Sequence, residues 1–205
     1  SGVASWYVLK SRPAGAYLWE RVKRLLIPLY TVGLFMLLPP QFYFELLTNR
    51  GYRGTFWETI PRYFADFGLP GITSDPADLL PFPFTGHLWF LQYLFLISLM
   101  TLPLLLYLKS VRGQLWITRL AGWCDRRGGI FLFVIPLALA LIGLRGLFAA
   151  QRSWADFLWY AIYFVIGYII ASDQRFTDAF KRHKWVCLAL WLIVFFGGIG
   201  LLVLV

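Results

Sequence analysis

Long apolar runs alternate along this chain with shorter polar segments in which basic residues dominate. Leu25 to Phe44, Leu88 to Leu108, Gly129 to about Phe148 and Trp154 to Ser172 are each long enough to matter. At about 1.5 Å per residue, such a run covers roughly 30 Å, the thickness of a bilayer's hydrocarbon core. The pattern predicts four complete membrane helices, the tail of another over residues 1–9, and the start of a further one from Trp185 to Val205. Barrel strands would alternate apolar and polar positions in short segments, whereas these runs are continuous. Within the first span, Pro28 falls in the opening turn, where a missing N–H costs little. Pro39-Pro40 is expected to kink or end it.

The polar segments predict less regular structure. Lys10 to Arg24 reads as a short basic amphipathic segment, and Lys109 to Gly128 and Asp173 to Lys184 as basic loops. In the longest polar stretch, 45–86, Thr55 to Phe67 is expected to form a short interfacial helix with Trp57 and Phe64 on its apolar face. Prolines and glycines after Gly68 predict irregular backbone there.

Composition agrees with the pattern. The 205 residues are 60% hydrophobic and 14% charged, where a soluble domain runs nearer half and a quarter. The expected class is an all-α integral membrane protein, a polytopic helical bundle. The chain is expected to be one domain, 1–205, and an interior fragment truncated at both ends: it opens at Ser1 without Met and stops inside an apolar run. Cys124 and Cys187 have neither metal-ligand spacing nor a disulfide framework, so no metal is expected.

The net charge of +9 changes the picture only until the cations are placed. Segments 10–24, 109–128 and 173–184 hold five, five and four Lys or Arg. The alternate segments, 45–86 and 145–153, hold three and two, and the first of these is much longer. The positive-inside rule therefore accounts for the charge and puts 10–24, 109–128 and 173–184 in the cytoplasm. Nucleic acid is set aside as a partner, and the lipid bilayer takes its place.

Few residues stand out for chemistry. Arg21 and Arg24, at positions i and i+3 before the first span, would lie on one face of an α-helix. Two readings stand for them: a grip on phosphate through paired charged hydrogen bonds, or the ordinary basic flank of a cytoplasmic helix end. His87 lies one residue outside the second span, with Trp89 just inside it. It is either a group that takes up protons near the outer surface or a boundary residue bonded to a loop carbonyl. Arg145 is either a substrate contact or a side chain that snorkels to the surface. Asp66, Asp75 and Asp78 read as solvated loop charges.

Several of these pieces fall in the order of one family's motifs. Ser1-Gly2 resembles the end of a Phe-Phe-x-x-Ser-Gly signature of the type-3 membrane acyltransferases, which acylate bacterial surface and periplasmic glycans. Arg21-x-x-Arg24-Leu25-x-x-Pro28 is similar to their Arg-x-x-Arg-x-x-x-Pro motif. Gly86-His87-Leu88-Trp89-Phe90-Leu91 resembles their His-Leu-Trp-Phe-Leu form, and Phe164-x-x-Gly167-Tyr168 their Phe-x-x-Gly-Tyr pattern. Leu94 stands where members that acetylate O-antigen often carry Glu, which points toward the glucan succinyltransferase-like branch or an unassigned one.

The resemblance implies transfer of an acyl group, acetyl or succinyl in type, from cytoplasmic acyl-CoA to a hydroxyl of a glycan or glycolipid acceptor. The setting it implies is the bacterial inner membrane. Arg21 and Arg24 are then the expected anchors for the CoA phosphates, and His87, Trp89 and Arg145 the expected acceptor-side residues. The family's main catalytic His lies in a helix expected ahead of Ser1, so the chain alone is expected to be inactive. The other class consistent with aromatic-rich spans is a non-enzymatic carrier or flippase for a lipid or sugar.

Overall fold

The computed structural model describes residues 1–65, 75–80, 88–126, 128–146 and 153–204. Among them there is no strand. The chain forms α1 (Gly2–Ser11), α2 (Ala14–Asn49), α3 (Phe56–Ala65), α4 (Trp89–Met100), α5 (Leu102–Lys109), α6 (Val111–Cys124), α7 (Val134–Arg145), α8 (Trp154–Ser172) and α9 (Gln174–Leu204). The protein is an all-α membrane protein. Among the described residues, α2 and α8 are each long and apolar enough to cross a bilayer, and α4 with α5 forms a third, bent candidate.

Two helices run further than expected. The basic segment before Leu25 does not end before the first span but is its opening turns, so α2 continues unbroken from Ala14 to Asn49. In the same way, much of the loop expected at 173–184 is the beginning of α9. Nothing in Gln174 to Lys184 is a helix breaker, and helix propagation adds a hydrogen bond per residue once a span has nucleated it. The segment expected as a loop at 109–128 is largely α6, capped at its start by the Ser110 hydroxyl, which accepts from the Gly113 N–H at 3.3 Å. Cys124 closes that helix and is buried.

Pro39-Pro40 does not end α2. The preceding Leu29–Leu37 segment is wound in wide π turns, and α pitch resumes at Leu38 with the prolines in its first turn, where no α-type N–H bond is missed. In the π register the Leu34 carbonyl would look to the N–H of residue 39, which proline lacks. It accepts instead from the Tyr63 hydroxyl of α3 at 3.0 Å. Burial pushes that hydroxyl up to about 12, so it stays a donor. The bend expected at Pro39 falls at Pro103, where α4 and α5 meet at 47°. Pro103 removes the N–H that would serve the Leu99 carbonyl, and the Thr101 hydroxyl bonds back to the Ile97 carbonyl at 2.6 Å.

α3 forms where an interfacial helix was expected. Its protein-facing side is Thr59 and Tyr63, while Trp57 and Phe64 are exposed. Tyr63 joins Leu34, Leu38, Phe42 and Leu46 in a small core beside α2. The larger core is built on Leu9, Tyr17, Tyr93, Leu105, Tyr168 and Phe176. Phe35, Met36, Leu139, Ile142 and Ile193 are exposed, as side chains facing lipid must be.

Charge sorts the bundle into two ends. At one, the C-termini of α1 and α5 meet, with Lys109 Nζ donating to the Leu9 carbonyl at 2.6 Å. The loop after α6 is tied to α9 there, through Arg182 to Asp125 at 2.7 Å and the Gly128 N–H to His183 Nε2 at 3.2 Å. We call this the basic end. The opposite end holds the end of α2, α3 and the starts of α4 and α8.

Candidate functional site

Two of the four motifs named from sequence pack against each other. Gly2 on α1 lies so close to α8 that a Cβ on it would collide with the Phe164 carbonyl oxygen. Gly167 faces the same contact, with the Val3 nitrogen 3.5 Å from where its Cβ would stand. Small residues permit that approach in a membrane, where packing rather than hydrophobicity joins helices. Tyr168 fills the space beside it, edge-on to Trp6 at 5.3 Å, and donates to the Leu105 carbonyl at 3.2 Å.

Arg21 closes this joint. Its Nη2 donates to the buried Ser5 hydroxyl at 2.7 Å, and its guanidinium lies 4.9 Å from the centre of the Tyr17 ring. The Tyr17 hydroxyl is in turn 3.0 Å from Ser5 Oγ. Arg24 goes elsewhere. Its Nη2 meets Glu20 Oε1 at 2.6 Å, and its side chain is 73% exposed. The segment Val22–Leu26, which contains Arg24, is wound in π pitch, which rotates position i+3 further from position i than an α-helix does. The two arginines therefore take separate partners.

Arg24 has company that spacing did not announce. Arg12, Ala16, Trp19, Glu20, Lys23 and Arg24 line a cleft of about 440 Å³ at the basic end. Glu20 pairs with both Arg12, at 3.3 Å, and Arg24. Lys23 stands 5.5 Å from the centre of the Trp19 ring, which is 56% exposed. Three cations against one carboxylate leave the cleft positive, and the indole offers a flat apolar face beside them. The sequence signal that could have found Trp19 was the amphipathic pattern of 14–24 read as one helical face, while Arg12 reaches the cleft from the extended link before Pro13.

His87 lies outside the described residues, as do Gly86 and Asp66. The side chains of Asp78 and Arg145 do too, although the Arg145 backbone closes α7. Trp89 is described. It packs edge-on to Tyr93 at 5.1 Å and tilted to Tyr160 at 6.1 Å, and Tyr93 meets Phe157 at 5.5 Å. The buried Tyr93 donates its hydroxyl to Asp75 Oδ1 at 3.0 Å. Asp75 is thus held by a core residue rather than left in a solvated loop. No spacing rule links positions 75 and 93, so sequence pattern could not have paired them.

The described residues thus form an all-helical membrane bundle with a cationic cleft at one end and clustered aromatic rings at the other. The particular family follows from comparison: the sequence model of the acyltransferase domain family, acyltransferase 3, matches residues 1–205. The chain belongs to the acyltransferase 3 family, and it is a membrane acyltransferase by that membership. No curated protein and no solved structure matches it.

Proposed function

We propose that the basic-end cleft binds acyl-CoA on the cytoplasmic side and that the acyl group, of acetyl or succinyl type, passes to a glycan hydroxyl at the outer side. The observation that carries this reading is the cleft itself, in a chain matched along its length by an acyltransferase family. A nucleotide thioester needs cationic anchors for its phosphates and a flat surface for its base. Arg12, Lys23 and Arg24 supply the first, and Trp19 the second. Arg21 then supports the anchor indirectly, by fixing α2 against α1 through Ser5.

Chemically, the acceptor oxygen attacks the thioester carbonyl while a base removes its proton, and the CoA sulfur leaves and is protonated. By family resemblance the base is a histidine ahead of Ser1. His87 and Trp89 serve the acceptor, with Arg145 at the same end: a sugar ring stacks on the indole and offers a hydroxyl to the imidazole. By the same resemblance the setting is the inner membrane of a bacterium, with the donor in the cytoplasm and the product outside. Polysaccharide modification is the outcome.

The test is transfer of radiolabelled acyl groups from acyl-CoA to glycan in membranes that carry this chain as part of the longer protein the family resemblance implies, catalytic histidine included. Product must appear with the wild-type protein and fall when Trp19→Ala and Arg24→Ala are combined. Label that stays entirely in acyl-CoA would remove the proposal. In the same assay, His87→Gln should raise the acceptor's apparent KM with kcat little changed. A fall in kcat of about two to four orders of magnitude would instead make His87 the acid–base group.

A further inference from the structure

The end of the bundle opposite the basic loops carries arginines that topology does not require, since the positive-inside rule places cations at the other face. Two of them converge. Arg50 follows the last turn of α2 and Arg62 lies on α3, and together with Phe42, Leu46, Tyr52 and Ala65 they line a cleft of about 350 Å³. Among the described residues, neither the Arg50 nor the Arg62 side chain makes a hydrogen bond or ion pair, and the Arg62 guanidinium lies 5.3 Å from the centre of the Tyr52 ring. Glu58, one turn before Arg62 on α3, accepts at Oε2 from the Tyr52 hydroxyl at 3.3 Å and the Thr55 N–H at 3.2 Å and forms no ion pair with either arginine. No described carboxylate lines the cleft.

The opposite wall is apolar. Phe42 and Leu46 belong to the small core on α2, and their helix neighbours Phe44 and Leu47 are exposed toward lipid. A bare anion would satisfy the guanidiniums and make no use of that wall. A plain hydrocarbon chain would do the reverse. Two guanidiniums without an ion pair among the described residues also match a head with two negative charges better than a singly charged diester.

We propose that this cleft binds a membrane lipid whose head is a phosphate monoester, with the phosphate between Arg50 and Arg62 and the chain running along Phe42 and Leu46 into the bilayer. The site is separate from the acyl-CoA cleft and does not depend on it. It gives the enzyme a lipid contact at the face where its acceptor is proposed to arrive.

The test measures binding of dioctanoyl phosphatidic acid, dioctanoyl phosphatidylglycerol and inorganic phosphate to the purified protein in a neutral detergent. Phosphatidic acid should bind about tenfold or more tightly than either of the others. Arg50→Gln with Arg62→Gln should weaken it by about tenfold or more, while Arg53→Gln, outside the cleft, should leave it unchanged. The substituted side chains are exposed, and an unchanged melting temperature confirms that the fold survives. Equal affinity for inorganic phosphate would overturn the lipid assignment. An effect of Arg53→Gln as large as that of the pair, or no effect of the pair, would overturn the site.

Discussion

The joint around Arg21 and the cleft around Arg24 begin three residues apart on one helix and end as different kinds of place. In the joint, Gly2, Ser5, Tyr17, Arg21, Gly167 and Tyr168 meet from three helices, and every polar side-chain atom named there has a partner. In the cleft, Arg12 and Arg24 share the Glu20 carboxylate, while Lys23 stands by the ring of the exposed Trp19. A saturated cluster holds helices together, whereas an unbalanced open one leaves positive charge facing outward, which is why the acyl-CoA proposal rests on it. The difference teaches that a paired-arginine motif need not have one role, because a change of helical pitch between its members divides them.

If the joint is architectural, changes there should cost stability before anything else. Gly2→Ala should show the largest effect. In an open helix that substitution stabilises by up to about 1 kcal/mol, but here the new methyl meets backbone that cannot step aside. A loss of about 3 kcal/mol is expected, read as a lowered melting temperature in detergent. An unchanged or raised melting temperature would mean that α1 and α8 are not in contact.

Arg21→Ala comes next. It removes a charged hydrogen bond to Ser5 and a cation–π contact with Tyr17, and about 2 kcal/mol of stability should go with them. Arg24→Lys should do the opposite kind of damage. Its ion pair to Glu20 is largely exposed and contributes little to stability, so melting should be unchanged. The planar fork is lost, and affinity for acyl-CoA should fall by about tenfold. Should Arg21→Ala weaken acyl-CoA binding at unchanged stability, the division between the two regions would collapse.

The smallest effect lies outside both regions and serves as a control. Asp173, between α8 and α9, accepts from the Arg175 backbone N–H at 3.0 Å and from its guanidinium at 2.6 Å. Those bonds hold its carboxyl below the usual range, the side-chain bond to Arg175 being the main cause. Its contribution to stability is therefore present above the unfolded value of about 3.9 and lost as pH falls through the lower folded value. Asp173→Asn should flatten the melting curve's dependence on pH in that acid window. Because both partners are partly exposed, less than about 1 kcal/mol is involved. Acyl-CoA binding should not respond.

Much of the fold was legible because membrane burial imposes a simple rule on long apolar runs. The span 154–172 and the helix at 56–65 formed where the pattern placed them. Prolines were not legible in the same way, since their effect depends on who serves the orphaned carbonyl. Leu34 found Tyr63, 29 residues away, and α2 ran on, while Pro103, which no expectation singled out, bent α4 against α5. The site was half legible for a related reason. Arg24 could be named from its motif, but Arg12 and Trp19 join it only because α2 begins at Ala14 and not at Leu25. Asp75 needed the tertiary structure to reach Tyr93.

The claim on which the rest depends is that acyl-CoA enters at the basic end. Sealed proteoliposomes can be sorted by which end faces outward, using an impermeant thiol reagent on Cys substitutions placed at 112–118, and then given radiolabelled acyl-CoA from outside. Label should be retained by vesicles whose basic end faces out, and Arg24→Lys should reduce that retention. Retention by the vesicles of opposite orientation, at a level the Arg24→Lys change does not touch, would contradict the account.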